Sequence, residues 1–188
     1  MNKAIKRIMV GFLFISLDIN IGFIDILNNS LGFIIIIYGL KDLVEHSLYF
    51  TKAIHVARFL VLINIPYSIK YGEARDGMNL NFLSNFYPLD ILYTIIVVLI
   101  NIYFVYNLCR GFSEMTKKYE HTSRSFMNFI KAYTVICSIS MLLLIFNINL
   151  NIKSIKDFII FFSIGLAFWN ICFLVLLNKT RKMDFNLK

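Results

Sequence analysis

Charged side chains are scarce in this sequence. Asp, Glu, Lys and Arg make up 16% of 188 residues, against about 25% in soluble domains. Hydrophobic residues reach 59% and mean hydropathy is +0.71, more apolar surface than a soluble chain of this length has use for. Cysteine is nearly absent as well. Cys109, Cys137 and Cys172 are odd in number and lack Cys-x-x-Cys spacing, which argues against a disulfide framework. His46, His55 and His121 accompany Glu45, Glu114 and Glu120, but no two histidines stand at His-x-x-x-His spacing, so no metal site is assigned. Gly-x-Ser-x-Gly, a phosphate-binding Gly loop and His-Glu-x-x-His are all missing, which removes the common hydrolase and nucleotide chemistries. We assign no catalytic residue and no cofactor, and read the chain as a non-enzyme. What it has in excess is Ile (31), Asn (17) and Phe (19), a bias typical of AT-rich bacterial genomes.

Lys3, Lys6 and Arg7 precede an apolar run from Ile8 to Leu17, as in an export signal. The small-residue cleavage site is lacking, and Asp18-Ile19-Asn20-Ile21-Gly22 stands in its place, so the run is expected to be an uncleaved first helix. Apolar stretches fall at 8–27, 31–48, 53–69, 87–108, 126–148 and 155–178. A span needs roughly 20 residues to cross a hydrocarbon core of about 30 Å. The expectation is therefore an all-α, polytopic transmembrane bundle of about six helices, a single integral membrane domain over 1–188.

Charge asymmetry orients it. With both termini cytoplasmic, 15 Lys and Arg fall inside and four (Lys70, Arg75, Lys153, Lys156) fall outside, as the positive-inside rule asks. The net charge of +8 follows from that rule and from an affinity for anionic lipid, and gives no reason to invoke nucleic acid. The longest outer segment, Tyr67 to Phe86, carries the turn signals Tyr71-Gly72 and Asp76-Gly77, and Pro88 opens the fourth helix. Cys109 to Ser125 is charged and reads as a helical extension, while Tyr67, Tyr71, Tyr87, Tyr103 and Tyr106 read as an interfacial belt.

The first hairpin holds the candidate site. Gly11, Ile15, Asp18, Gly22 and Asp25 share one face if the first helix runs through to Leu27. Gly11, Gly22, Gly32 and Gly39 would then let two backbones approach closely. A tight turn at Asn28-Asn29-Ser30 would bring Tyr38 opposite Asn20 and Lys41 beside Asp18. Asp18, Asn20, Asp25, Tyr38 and Lys41 thus form a candidate intramembrane polar site, with Asp18 about 16 Å below the inner surface by helix rise. The run from Asp18 to Leu27, followed by Leu31-Gly32-Phe33-Ile34 and Gly39-Leu40, resembles the N-terminal signature of small, uncharacterised multi-pass membrane proteins of Gram-positive bacteria. In those proteins Pro often follows Asp-Ile-Leu, and here Asn28 stands instead. The resemblance implies a bacterial plasma-membrane protein and brings no catalytic residue with it.

Asn64, Asn101, Ser138, Ser140 and Asn170 also fall within apolar stretches, where interhelical hydrogen bonds worth roughly 0.6 kcal/mol are the expectation. Two functions fit. One is a non-enzymatic accessory, regulatory or sensor subunit, with the lipid bilayer and either another membrane protein or a second copy as partners. The other is a small ion- or proton-coupled transporter using Asp18 and Asp25, with Asp90 as a third acid.

Overall fold

The computed structural model describes the backbone of residues 1–16, 20–21, 24–25, 29–64, 87–150 and 155–183, with side chains described within 1–16, 29–64, 92–142 and 168–183. Among the described residues there are six α-helices: α1 (Asn2–Ser16), α2 (Asn29–Lys41), α3 (Leu48–Asn64), α4 (Tyr87–Met115), α5 (Glu120–Leu150) and α6 (Ile155–Arg181). Two stretches of these, Ile95–Met115 and Glu120–Leu142, are long and apolar enough to cross a membrane.

The first three helices depart from the expected boundaries. They run to 15, 13 and 17 residues, short of the roughly 20 that a full span takes. α1 stops at Ser16, where the expected helix continued to Leu27. Beyond it, Asn20–Ile21 pairs antiparallel with Ile24–Asp25, with Asn20 opposite Asp25 and Ile21 opposite Ile24. Asn20 and Asp25 compete for backbone hydrogen bonds and Ile21 and Ile24 are stiff at a branched Cβ, so helical propensity is low at the four paired residues. Hydrophobicity had masked that weakness.

α2 ends at Lys41, and a single 3-10 turn, Val44–His46, leads to Ser47. Ser47 is extended, its hydroxyl accepts from the Tyr49 N–H at 3.1 Å, and its carbonyl accepts from the Phe50 N–H at 3.1 Å. It is therefore the N-cap of α3, which starts five residues before the apolar stretch that announced it. α4 does open at Tyr87-Pro88, where proline's missing N–H costs nothing. The segment expected as a helical extension is the end of α4 and the start of α5, joined by a four-residue turn, 116–119, across which the hydroxyls of Ser113 in α4 and Ser123 in α5 meet at 2.8 Å.

α1 and α2 lie antiparallel in close contact, Gly11 against Gly32 and Gly39 against Ala4 and Ile8. Several contacts gather one end of the bundle: Arg7 to Asp42 at 2.9 Å, the Ser47 hydroxyl to Glu114 at 2.6 Å, and α1 residues 2–6 beside Arg181 and Lys182. Both described chain ends, the α2–α3 junction and the α4–α5 turn thus share that end.

The core is a chain of phenylalanines. Phe50 of α3 meets Phe112 of α4 edge-on at 5.2 Å, and Phe112 stacks on Phe126 of α5 at 5.2 Å. Phe126 reaches Phe173 of α6 at 6.4 Å, Phe173 meets Phe12 of α1 at 4.8 Å, and Phe12 and Phe33 of α2 both contact Phe104 of α4. All six helices are tied together by rings at separations where aromatic pairs attract beyond their buried area.

Candidate functional site: a cavity between the helices

Between α1, α2, α4, α5 and α6 lies a cavity of about 230 Å³. Phe12, Phe33 and Phe104 form part of its apolar wall, and its polar atoms come from Asn101 of α4, Tyr133, Cys137 and Ser140 of α5, and Asn170 of α6. Tyr133, Cys137 and Ser140 are spaced four and three apart and so share one helical face. At about 30 Å³ per water the cavity has room for several waters or for a small polar molecule. Its lining offers two amides, a phenol, a thiol and a hydroxyl, all neutral donors and acceptors at pH 7.

Two of these groups are occupied along their own helices. Asn101 donates to the Val97 carbonyl at 3.0 Å and Ser140 to the Cys137 carbonyl at 2.8 Å. Asn107, buried just below, donates to the Tyr103 carbonyl at 2.7 Å, and Asn64 donates to the Leu60 carbonyl at 2.7 Å. At Asn101 and Ser140 the bonds shown run to a carbonyl four and three residues back on the same helix, in place of the expected interhelical ones. Ser138 is exposed on the outer face of α5. We expect Asn101→Leu to cost less than about 1 kcal/mol in detergent, since the amide it removes bonds its own helix. A loss of about 2 kcal/mol or more in a denaturation titration would mean that Asn101 bridges helices instead.

The candidate site of the first hairpin is not assembled as expected. Asp18 and Gly22 lie outside the described residues, as do the side chains of Asn20 and Asp25. The backbones of Asn20 and Asp25 face each other across the two-residue ladder, so Asp25 is not on a helical stripe with Gly11. Tyr38 and Lys41 belong to the other end of α2. Gly39 beside Ala4 and Asp42 beside Arg7 fix the level of that segment against the start of α1. Both side chains are exposed, and the Lys41 ammonium sits 5.2 Å over the Tyr38 ring. The register had assumed a turn at Asn29 with helix on both sides. Instead residues 17–28 all fall between α1 and α2, which slides the pairing by several turns.

Gly11, Gly32 and Gly39 are where close approach was expected, with new partners. A Cβ on Gly11 would lie 2.6 Å from the Gly32 carbonyl oxygen, and one on Gly32 would lie 2.7 Å from the Gly11 carbonyl oxygen. Trp169, read as packing, stacks on Phe129 at 4.9 Å. Tyr133 and Cys137, which line the cavity, were missed as site residues, because a phenol and a thiol within an apolar run carry no polar signal in the sequence. No group of three or more metal-ligating side chains occurs among the described residues. No protein-family model, curated protein or solved structure matches the chain.

Proposed function

We propose that this chain is an integral protein of the plasma membrane that crosses the bilayer six times with both termini in the cytoplasm, and that it acts as a non-enzymatic accessory, regulatory or sensor subunit. The observation that carries the reading is the outer surface of the long helices. Leu92, Ile96, Leu99 and Tyr103 of α4, Val135, Ile139 and Leu142 of α5, and Phe168, Ile171 and Val175 of α6 are each between 44% and 64% exposed. They recur at spacings of three and four, so each helix has an outward apolar stripe. The opposite face is apolar too, with Phe104, Leu108, Phe112, Phe126 and Phe173 buried. A helix apolar all round suits a hydrocarbon surrounding. The gathering of Lys3, Lys6, Arg7, Lys117, Lys118, Arg181 and Lys182 towards one end supports the orientation.

The short α1, α2 and α3 are accommodated by snorkelling of Lys and Arg and by local thinning of the bilayer. The resemblance of the first hairpin to small membrane proteins of Gram-positive bacteria supports the cellular setting. Within this reading the neutral cavity is the interior binding site, and hydrogen bonding to an uncharged polar group or to ordered water is its chemistry.

Topology is tested by labelling with a membrane-impermeant thiol reagent from outside. A cysteine placed at Asp76 should react and one placed at Lys118 should not, each against the parent chain with its native cysteines. The reverse pattern would sink the orientation. A proton or cation flux into proteoliposomes that vanishes in Asp18→Asn would move the assignment to a small carrier using Asp18 and Asp25. Equal absence of flux in both proteins favours the accessory role.

A further inference from the structure

The start of α1 and the end of α6 meet in a cleft of about 370 Å³ lined by Asn2, Lys3, Lys6, Arg181 and Lys182. Four of the five lining side chains are cations at neutral pH and none is an acid. Of the acids elsewhere at this end, Asp42 pairs with Arg7 at 2.9 Å, Glu114 accepts from Ser47 at 2.6 Å and Glu120 lies 4.0 Å from Arg124, while Glu45 of the turn after α2 is exposed and does not line the cleft. Lys3, Lys6, Arg181 and Lys182 join no ion pair among the described residues, with Asp184 lying outside them.

That arrangement is unfavourable on two counts when the cleft is empty of anions. Like charges gathered around one space repel each other. Lys3 and Lys6 also sit in the opening turns of α1, where the unpaired N–H groups make the helix end positive, and α1 has no acid in its first turn. At α6 the charges are well placed, since Arg181 lies in its last turn. An anion in the cleft reverses both costs at α1, meeting the cations and the positive helix end together. Arg181 brings a planar fork that matches two oxygens of one phosphate, and the lysines bring point charges that tolerate several headgroup geometries.

We propose that this cleft is a binding site for a phosphate-bearing anion, held by Lys3, Lys6, Arg181 and Lys182 across the N-terminus of α1. The site stands on the meeting of two helix ends and does not depend on the number of spans or on the accessory role. Two sources carry this chemistry, a phospholipid headgroup at the inner surface and a soluble phosphate ester.

The test uses the full chain in a neutral detergent at constant ionic strength, with melting temperature read against added phosphatidylglycerol or glycerol 3-phosphate. Saturable stabilisation by at least one is expected. In Lys6→Gln/Arg181→Gln the apparent affinity should fall about thirtyfold, equivalent to about 2 kcal/mol at 1.4 kcal/mol per tenfold. Lys117→Gln/Lys118→Gln, which removes the same charge from the α4–α5 turn, should bind as the parent does. Lys3→Gln/Lys182→Gln serves as the second cleft variant should the first not fold. Saturation by phosphatidylglycerol alone identifies the lipid, and saturation by both identifies the phosphate group as sufficient. Absence of saturation by either, or equal weakening in the cleft and control variants, overturns the proposal.

Discussion

Gly11→Leu is expected to force α1 and α2 apart and to lower stability by about 3 kcal/mol, the upper end of the cost of overpacking a filled contact. Even the first added carbon has no space. It would stand 2.6 Å from the Gly32 carbonyl oxygen and 2.5 Å from Cγ1 of Ile36. The Ile36 side chain can turn aside, but the carbonyl belongs to the backbone of α2 and moves only with the helix. Gly32 presents the same constraint in reverse against Gly11 and Ile15, and a Cβ on Gly39 would lie 2.7 Å from the Ala4 carbonyl oxygen.

The alanine variant makes the sign decisive. In an open helix, Gly→Ala gains about 1 kcal/mol from helical propensity. At Gly11 that gain must be set against separating Ile8 and Phe12 of α1 from Phe33 and Ile36 of α2, all buried. We expect Gly11→Ala to lower the melting temperature in detergent, and Gly11→Leu to lower it further. A rise for Gly11→Ala would mean that the two backbones do not touch.

Much of this architecture is legible in the residues. Pro88 marks the start of α4, and the small residues Gly11, Gly32 and Gly39 mark the close face of the first hairpin because only glycine leaves room for a neighbouring carbonyl. Lys and Arg mark the end where both described chain ends and the α4–α5 turn gather. The boundary of the first helix is hidden by hydropathy, which treats Ile21 and Ile24 as helix material when their branched side chains, beside Asn20 and Asp25, suit the paired extended backbone they adopt. Ser47 is hidden as well. It falls inside the apolar stretch 31–48, where a helix cap has no hydropathic signature. The cavity was half visible: Asn101 and Asn170 stand out as polar residues in apolar runs. Tyr133 and Cys137 do not, since a phenol or thiol scores as apolar until a three-dimensional arrangement gives it a neighbour. Which amide bonds which carbonyl is likewise beyond spacing, because Asn101 and Ser140 can satisfy themselves on their own helix before any partner arrives.

The phenylalanine chain could be read only from the structure, and truncating it carries the other large effect. Phe112 is fully buried, edge-on to Phe50 and stacked on Phe126, so it links α3, α4 and α5 through one side chain. Gly111 beside it makes room for the Phe50 ring, whose carbons would come within 2.6 Å of an added Cβ. Phe112→Ala should cost about 3 kcal/mol, the lower end of the range for aromatic truncation in soluble cores. The lower end follows from the proposed membrane setting, in which burial among helices gains little from leaving water and the loss is mostly dispersion contact and the cavity left behind. Phe126→Ala should cost a similar amount. The double variant should cost about 1 kcal/mol less than the two combined, because the stacking of the two rings is lost only once. Phe59, 52% exposed on the outer face of α3, provides the reference, since its truncation removes a similar ring without opening the core. Reversible unfolding in mixed micelles measures all four variants on one scale. If Phe112→Ala costs no more than Phe59→Ala, the rings are not what holds the helices together. Strict additivity of the Phe112 and Phe126 truncations would in turn leave the two rings energetically independent, and the contact between α4 and α5 would then rest on their remaining side chains.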